Sequence, residues 1–167
     1  ACGACNNAKN NQPINFANYY FPEDSNPLLA FDSVIDSNQC DAMIVQAKED
    51  LLPPQKYRAQ QTIKLFKLDN IDRRDKVVDL RWKMRYEARL AARSAVELYQ
   101  STKLSNSNAH KLIVNCAVKS HGFFDIWFDV FSNEPLVLGE LVRQIAGFAR
   151  NCFDVNYQPI PRNPNNL

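Results

Sequence analysis

Glycine is almost missing from this chain, with 4 residues in 167. Loops that cradle phosphate groups need several glycines close together, so no nucleotide-binding loop is expected. Histidine is scarcer still. His110 stands at the start of an apolar segment and His121 in a short polar connection, and both read as exposed loop residues. No HExxH, no GxSxG and no paired CxxC occurs, which removes the common zinc-hydrolase, serine-hydrolase and zinc-finger patterns. No run approaches the roughly 18 apolar residues of a membrane span. An excess of one charge is also lacking: 20 Lys and Arg face 18 Asp and Glu, for a net charge of +2. The overall field therefore selects no partner.

What is present is an ordinary globular composition, 46% apolar and 23% charged. The length suits one domain of common size. Residues 1–26 are polar and carry Pro13 and Pro22, so they read as an irregular arm, with an aromatic patch over 15–21 packed on the domain surface. Residues 27–158 read as one domain. Residues 159–167 hold three prolines and read as an irregular tail. The chain opens on Ala1 rather than Met. A small first residue is what signal peptidase leaves, so export to the periplasm or outside the cell is the expectation, with the cytoplasm as the alternative.

Five cysteines are spread over the chain. Cys2 and Cys5 have CxxC spacing, but on an Asn-rich end rather than at a helix start, and no second ligand pair accompanies them. They read as a structural or incidental pair, with no metal and no cofactor expected. A disulfide between Cys40 and Cys152 is expected from their placement on two helices, leaving Cys116 as a core thiol.

Hydrophobic periodicity argues for an α+β fold: two N-terminal helices, an antiparallel curved sheet of three to five strands, and a C-terminal helix. Asn26-Pro27 is a cap followed by proline at the first helical position. Leu28, Phe31, Val34 and Ile35 follow at helical spacing. A second helix is read over 37–52, stopped by Pro53-Pro54. Residues 62–68 read as a strand. In 80–90, Leu80, Trp82, Met84, Tyr86, Ala88 and Leu90 alternate with Arg81, Lys83, Arg85, Glu87 and Arg89, which is strand behaviour. A hairpin is read over 111–119 and 123–131, with Gly122 as the left-handed residue of its loop. Pro135 opens the last helix, whose stripe includes Leu138, Leu141 and Val142.

Two surfaces follow from that register. One strand face carries Arg81, Lys83, Arg85 and Arg89, a basic line that could meet phosphate or an anionic surface. No aromatic shares its parity, so nucleic acid is not expected as the partner. The outer side of the second hairpin strand carries Phe123, Asp125, Trp127, Asp129 and Phe131. Three large aromatics on a solvent face suit a protein interface. As a catalytic pair, Asp125 and Asp129 stand about 13 Å apart along a strand, too far for two-carboxylate chemistry. No catalytic residue is singled out.

The function expected is that of a non-catalytic protein-interaction or assembly module of an exported protein. The rival is a small α+β enzyme or ligand carrier, with an apolar pocket between sheet and helices lined by Trp82, Met84, Tyr86 and Phe128. A third reading is nucleic-acid or anionic-surface binding through the basic strand.

Overall fold

A computed structural model describes residues 14–71, 79–120, 122–145, 149–162 and 167. The chain divides into two compact units, residues 1–83 with 161–167, and residues 84–160. Among the described residues the fold is mostly helical, with one two-stranded antiparallel sheet. The expected sheet of three to five strands is therefore not there, and neither is the pair of N-terminal helices.

In the first unit, Asn26 and Pro27 start a helix as expected. The Asn26 side-chain oxygen accepts the Leu28 N–H at 3.2 Å, and Pro27 takes the first helical position. This α1 (Pro27–Ala30) lasts a single turn. The chain then extends into β1 (Phe31–Ile35), which pairs with β2 (Met43–Ala47) in the register Phe31 to Ala47 and Ile35 to Met43. Residues 36–42 turn the chain. Asp36 Oδ1 accepts the Asn38 N–H at 2.8 Å, an Asx turn that breaks the helical reading of this region. Alternation then buries Met43 and Val45 on one side of β2.

Pro53 and Pro54 open a helix rather than end one. At the first positions of α2 (Pro53–Phe66) their missing N–H groups are ones the helix leaves unpaired in any case. Ala59, Thr62 and Ile63 form its buried stripe, so most of the segment expected as a strand over 62–68 is the end of this helix. Lys67 closes it in the left-handed conformation.

The aromatic arm is not only a surface patch. Phe16 is exposed, but Tyr20 lies in the core with Ala30 and Ala59, against Phe31, Ala47, Leu51 and Leu167. The Tyr20 N–H donates to Thr62 Oγ1 at 2.8 Å, and the Arg58 guanidinium covers the Tyr20 ring at 4.3 Å. Burial raises the Tyr20 pKa, partly opposed by the charge of Arg58.

The second unit is built from α3 (Arg81–Thr102, whose first three residues count with the first unit), α4 (Ala109–Ser120), α5 (Phe124–Val130) and α6 (Pro135–Gln144). The three segments expected as strands, over 80–90, 111–119 and 123–131, are thus helices. In α3 the buried positions are Trp82, Arg85, Ala88, Ala92 and Tyr99, a spacing of three, three, four and seven that belongs to a helix. Gly122 does adopt a positive φ of 64°, in the connection between α4 and α5, and Phe123 follows with φ 52°. Pro135 opens α6, and Leu138, Leu141 and Val142 are buried, as expected.

α4 packs on α6. The aromatic core of this unit stacks Trp127 on Phe131 with ring centroids 6.2 Å apart, sets Tyr99 edge-on to Phe131 at 6.1 Å, and stacks Phe128 on Phe153 at 5.3 Å.

Candidate functional site

The outer side of α6 is an unusual piece of surface. Leu136, Gly139 and Arg143 recur at three- and four-residue spacing, which puts them on one helix face. Gly139 leaves a notch there, and the ring of Tyr157 fills it. A Cβ at position 139 would stand 2.7 Å from that ring, so only glycine permits the approach.

Tyr157 is held there by its own turn. Asp154 Oδ1 accepts the N–H groups of Asn156 and Gln158, both at 2.8 Å. The Tyr157 N–H donates to the Asp154 carbonyl at 3.0 Å, and the Asp154 N–H to the Gln158 carbonyl at 2.9 Å. Tyr157 itself sits at φ 61°, a conformation that costs a non-glycine residue about 1 kcal/mol. The turn's hydrogen bonds and the contact with Gly139 hold it against that cost.

Beside the ring lies a half-open cavity of ≈ 230 Å³ lined by Gly139, Val142, Arg143, Arg150, Phe153, Asp154 and Tyr157. Its two guanidinium groups differ in what they do. Arg143 donates through Nε to Glu140 Oε2 at 3.1 Å and through Nη2 to Oε1. Glu140 is buried, and the hydrogen bond from Arg143 is the main reason its carboxyl is held below the usual 4.5. Burial opposes that shift, while Gln144 and the nearby His110 add to it. The same bond raises Arg143 above its ordinary value. Arg150, in a short 3-10 turn (Arg150–Cys152), is exposed and makes no ion pair among the described residues. Around the cavity, Leu136 is 65% and Val155 92% exposed.

The residues singled out from the sequence fall elsewhere. Trp127 and Phe131 are 2% and 0% exposed, because α5 turns them into the aromatic core. Phe123 lies beneath the Arg85 guanidinium at 5.5 Å. The exposed aromatic strand face is therefore absent. Asp125 and Asp129 are one helical turn apart, so the 13 Å separation that spoke against them as a pair does not apply. Asp129 is committed to Arg89 Nη1 at 2.8 Å.

The basic line along 81–89 is taken up inside the protein rather than displayed. Arg81 grips Asp79 and donates to the Phe66 carbonyl at 2.9 Å. Arg85 is buried, Arg89 pairs with Asp129, and Lys83 remains exposed. Trp82 and Phe128 are buried while Met84 is exposed. Among the described residues there are two strands only, so they do not form the curved sheet that the expected apolar pocket needs.

Cys40 and Cys152 are not joined to each other, so the expected bridge between them is not formed. Cys40 lies in the turn between β1 and β2 rather than on a helix, and Cys116 is exposed rather than in the core. Cys2, Cys5 and His121 lie outside the described residues.

Neither Arg150 nor Tyr157 stood out in the sequence. The available signal was local: Asp154 followed two residues later by Asn156 marks an Asx-type turn, and arginines at 143 and 150 precede it. No protein-family model, no curated protein and no solved structure matches the chain.

Proposed function

We propose that this chain is a non-catalytic interaction module, and that it binds an acidic, partly apolar segment of another protein on the face formed by α6 and the turn over 150–160. The observation that carries this reading is Tyr157, an accessible aromatic fixed in a left-handed backbone conformation and seated on Gly139 beside the uncommitted Arg150. Tyrosine and arginine are enriched among residues that dominate binding energy, and a ring already held in place loses little freedom on binding. Leu136 and Val155 supply apolar margins, and Arg150 supplies charge complementarity.

Site-specific photo-crosslinking tests this. With a benzoylphenylalanine at position 155, the expected product joins the chain to an acidic stretch of a different protein, and Arg150→Glu removes it. A product indifferent to Arg150→Glu, a product no different from one formed at the exposed Tyr57, or a crosslink to a second copy of the chain would overturn the reading.

Export accompanies this proposal. Among the described residues no helix is long and apolar enough to cross a membrane. Intact mass after alkylation, with and without reduction, tests the compartment. Closure of Cys2 with Cys5 leaves three alkylated thiols and supports an oxidising environment; five alkylated thiols in the native protein speak for the cytoplasm.

A further inference from the structure

We infer that the cavity between α6 and the turn over 150–160 is a carboxylate site, which receives a single carboxylate carried next to an apolar or aromatic group. This rests on the same face as the interaction reading and deepens it by naming the chemistry recognised there.

Charge sets the valence of the ligand. Arg143 and Glu140 neutralise each other through two hydrogen bonds. Asp154 stands at the rim, with Oδ1 engaged by two backbone N–H groups. Arg150 is left without an ion-pair partner among the described residues. One guanidinium fork matches one carboxylate in two parallel hydrogen bonds. A phosphate brings close to two charges at pH 7 and would set the second against the Asp154 carboxylate.

The lining sets the rest of the ligand. Phe153 is buried, Val142 is buried, and the Tyr157 ring forms a wall, so most of the surface behind the charged rim is apolar. A cavity of ≈ 230 Å³ equals the liquid volume of roughly eight waters. That is room for one side chain with its carboxylate. An inorganic anion would leave the apolar part unfilled.

The experiment titrates three probes into the full chain and follows backbone amide shifts by NMR. The probes are N-acetylphenylalanine, N-acetylphenylalaninamide and inorganic phosphate. The expected result is saturable shifts around Gly139, Arg150, Phe153 and Tyr157 with N-acetylphenylalanine. The amide probe, which has lost only the carboxylate charge, should bind at least tenfold more weakly. Arg150→Gln, at an exposed position with no ion-pair partner among the described residues, should weaken N-acetylphenylalanine by a similar factor while keeping a folded spectrum. Equal binding of the acid and the amide, tighter binding of phosphate, or indifference to Arg150→Gln would overturn the inference. The wild-type probe comparison stands even if the variant misfolds. Failure here with an Arg150-dependent protein crosslink intact would remove the carboxylate site and leave the interaction reading. Binding of the probe with no protein crosslink would do the reverse.

Discussion

Glu140 is a buried acid kept ionised by a neighbour on its own helix. Its folded pKa lies below 4.5, chiefly through the hydrogen bond from Arg143. The stabilisation from this group is therefore present above about pH 4.5 and is lost as pH falls through the lower folded value. The melting temperature should fall as the solution is acidified below that point. Glu140→Gln should flatten this part of the profile, because an amide has no proton to gain. A variant whose acid profile matches the wild type would show that other carboxylates govern the transition.

On helix α3, Arg81, Arg85 and Arg89 follow one another at four-residue steps, and each is used within the fold. Their worth should differ with burial. Arg85 is 5% exposed, and its stem fills space that Ala would leave empty. Arg85→Ala should cost about 2 kcal/mol in denaturant unfolding. Arg93, one step further along and exposed, should cost less than about 0.5 kcal/mol when replaced by Ala. Equal losses at 85 and 93 would mean that the arginine row acts through its summed charge instead.

The same steps of four explain why α3 reads as a strand. Trp82, Tyr86 and Leu90 form one series of every fourth residue, and Met84, Ala88 and Ala92 another. Every multiple of four is also a multiple of two, so alternation and helical spacing fit the segment equally. Residues 112, 114, 116 and 118, and then 124, 126, 128 and 130, carry the same ambiguity. Composition was the better guide, since 81–100 is rich in Ala, Arg, Leu and Glu and has only Val96 as a β-branched residue.

The reverse error befell 31–47, where five-residue strands are too short to show alternation and the Asx turn at Asp36 was the informative feature. Local chemistry with a fixed position was legible: the Asn26-Pro27 start, Pro135, and the left-handed Gly122. The candidate site was not, because it depends on a notch at Gly139 meeting a ring 18 residues further on. No local pattern encodes that meeting.

At the scale of the whole molecule, each of the two units has its own core. Phe131 is fully buried between Trp127 and Tyr99. Phe131→Ala should remove about 3–5 kcal/mol from the unit that contains it. Hydrogen exchange should then quicken first at amides of 84–160, with β1, β2 and α2 following only if the two units unfold together. Uniform acceleration along the chain would mean a single cooperative unit.

A helix that draws Arg85 inward and leaves Met84, Leu90 and Leu98 between 43% and 53% exposed also shapes how copies of the molecule meet one another. Basic groups occupied inside the fold are less able to hold neighbours apart, and the outward side chains favour contact. The chain has an isoelectric point near 8.3, so mildly alkaline buffer removes what net repulsion there is. Light scattering at rising concentration should therefore show the strongest attraction around that pH and weaken as the solution is brought toward pH 6. Leu98→Lys should lower it at every pH, making the protein's colloidal behaviour a direct readout of which way this helix faces.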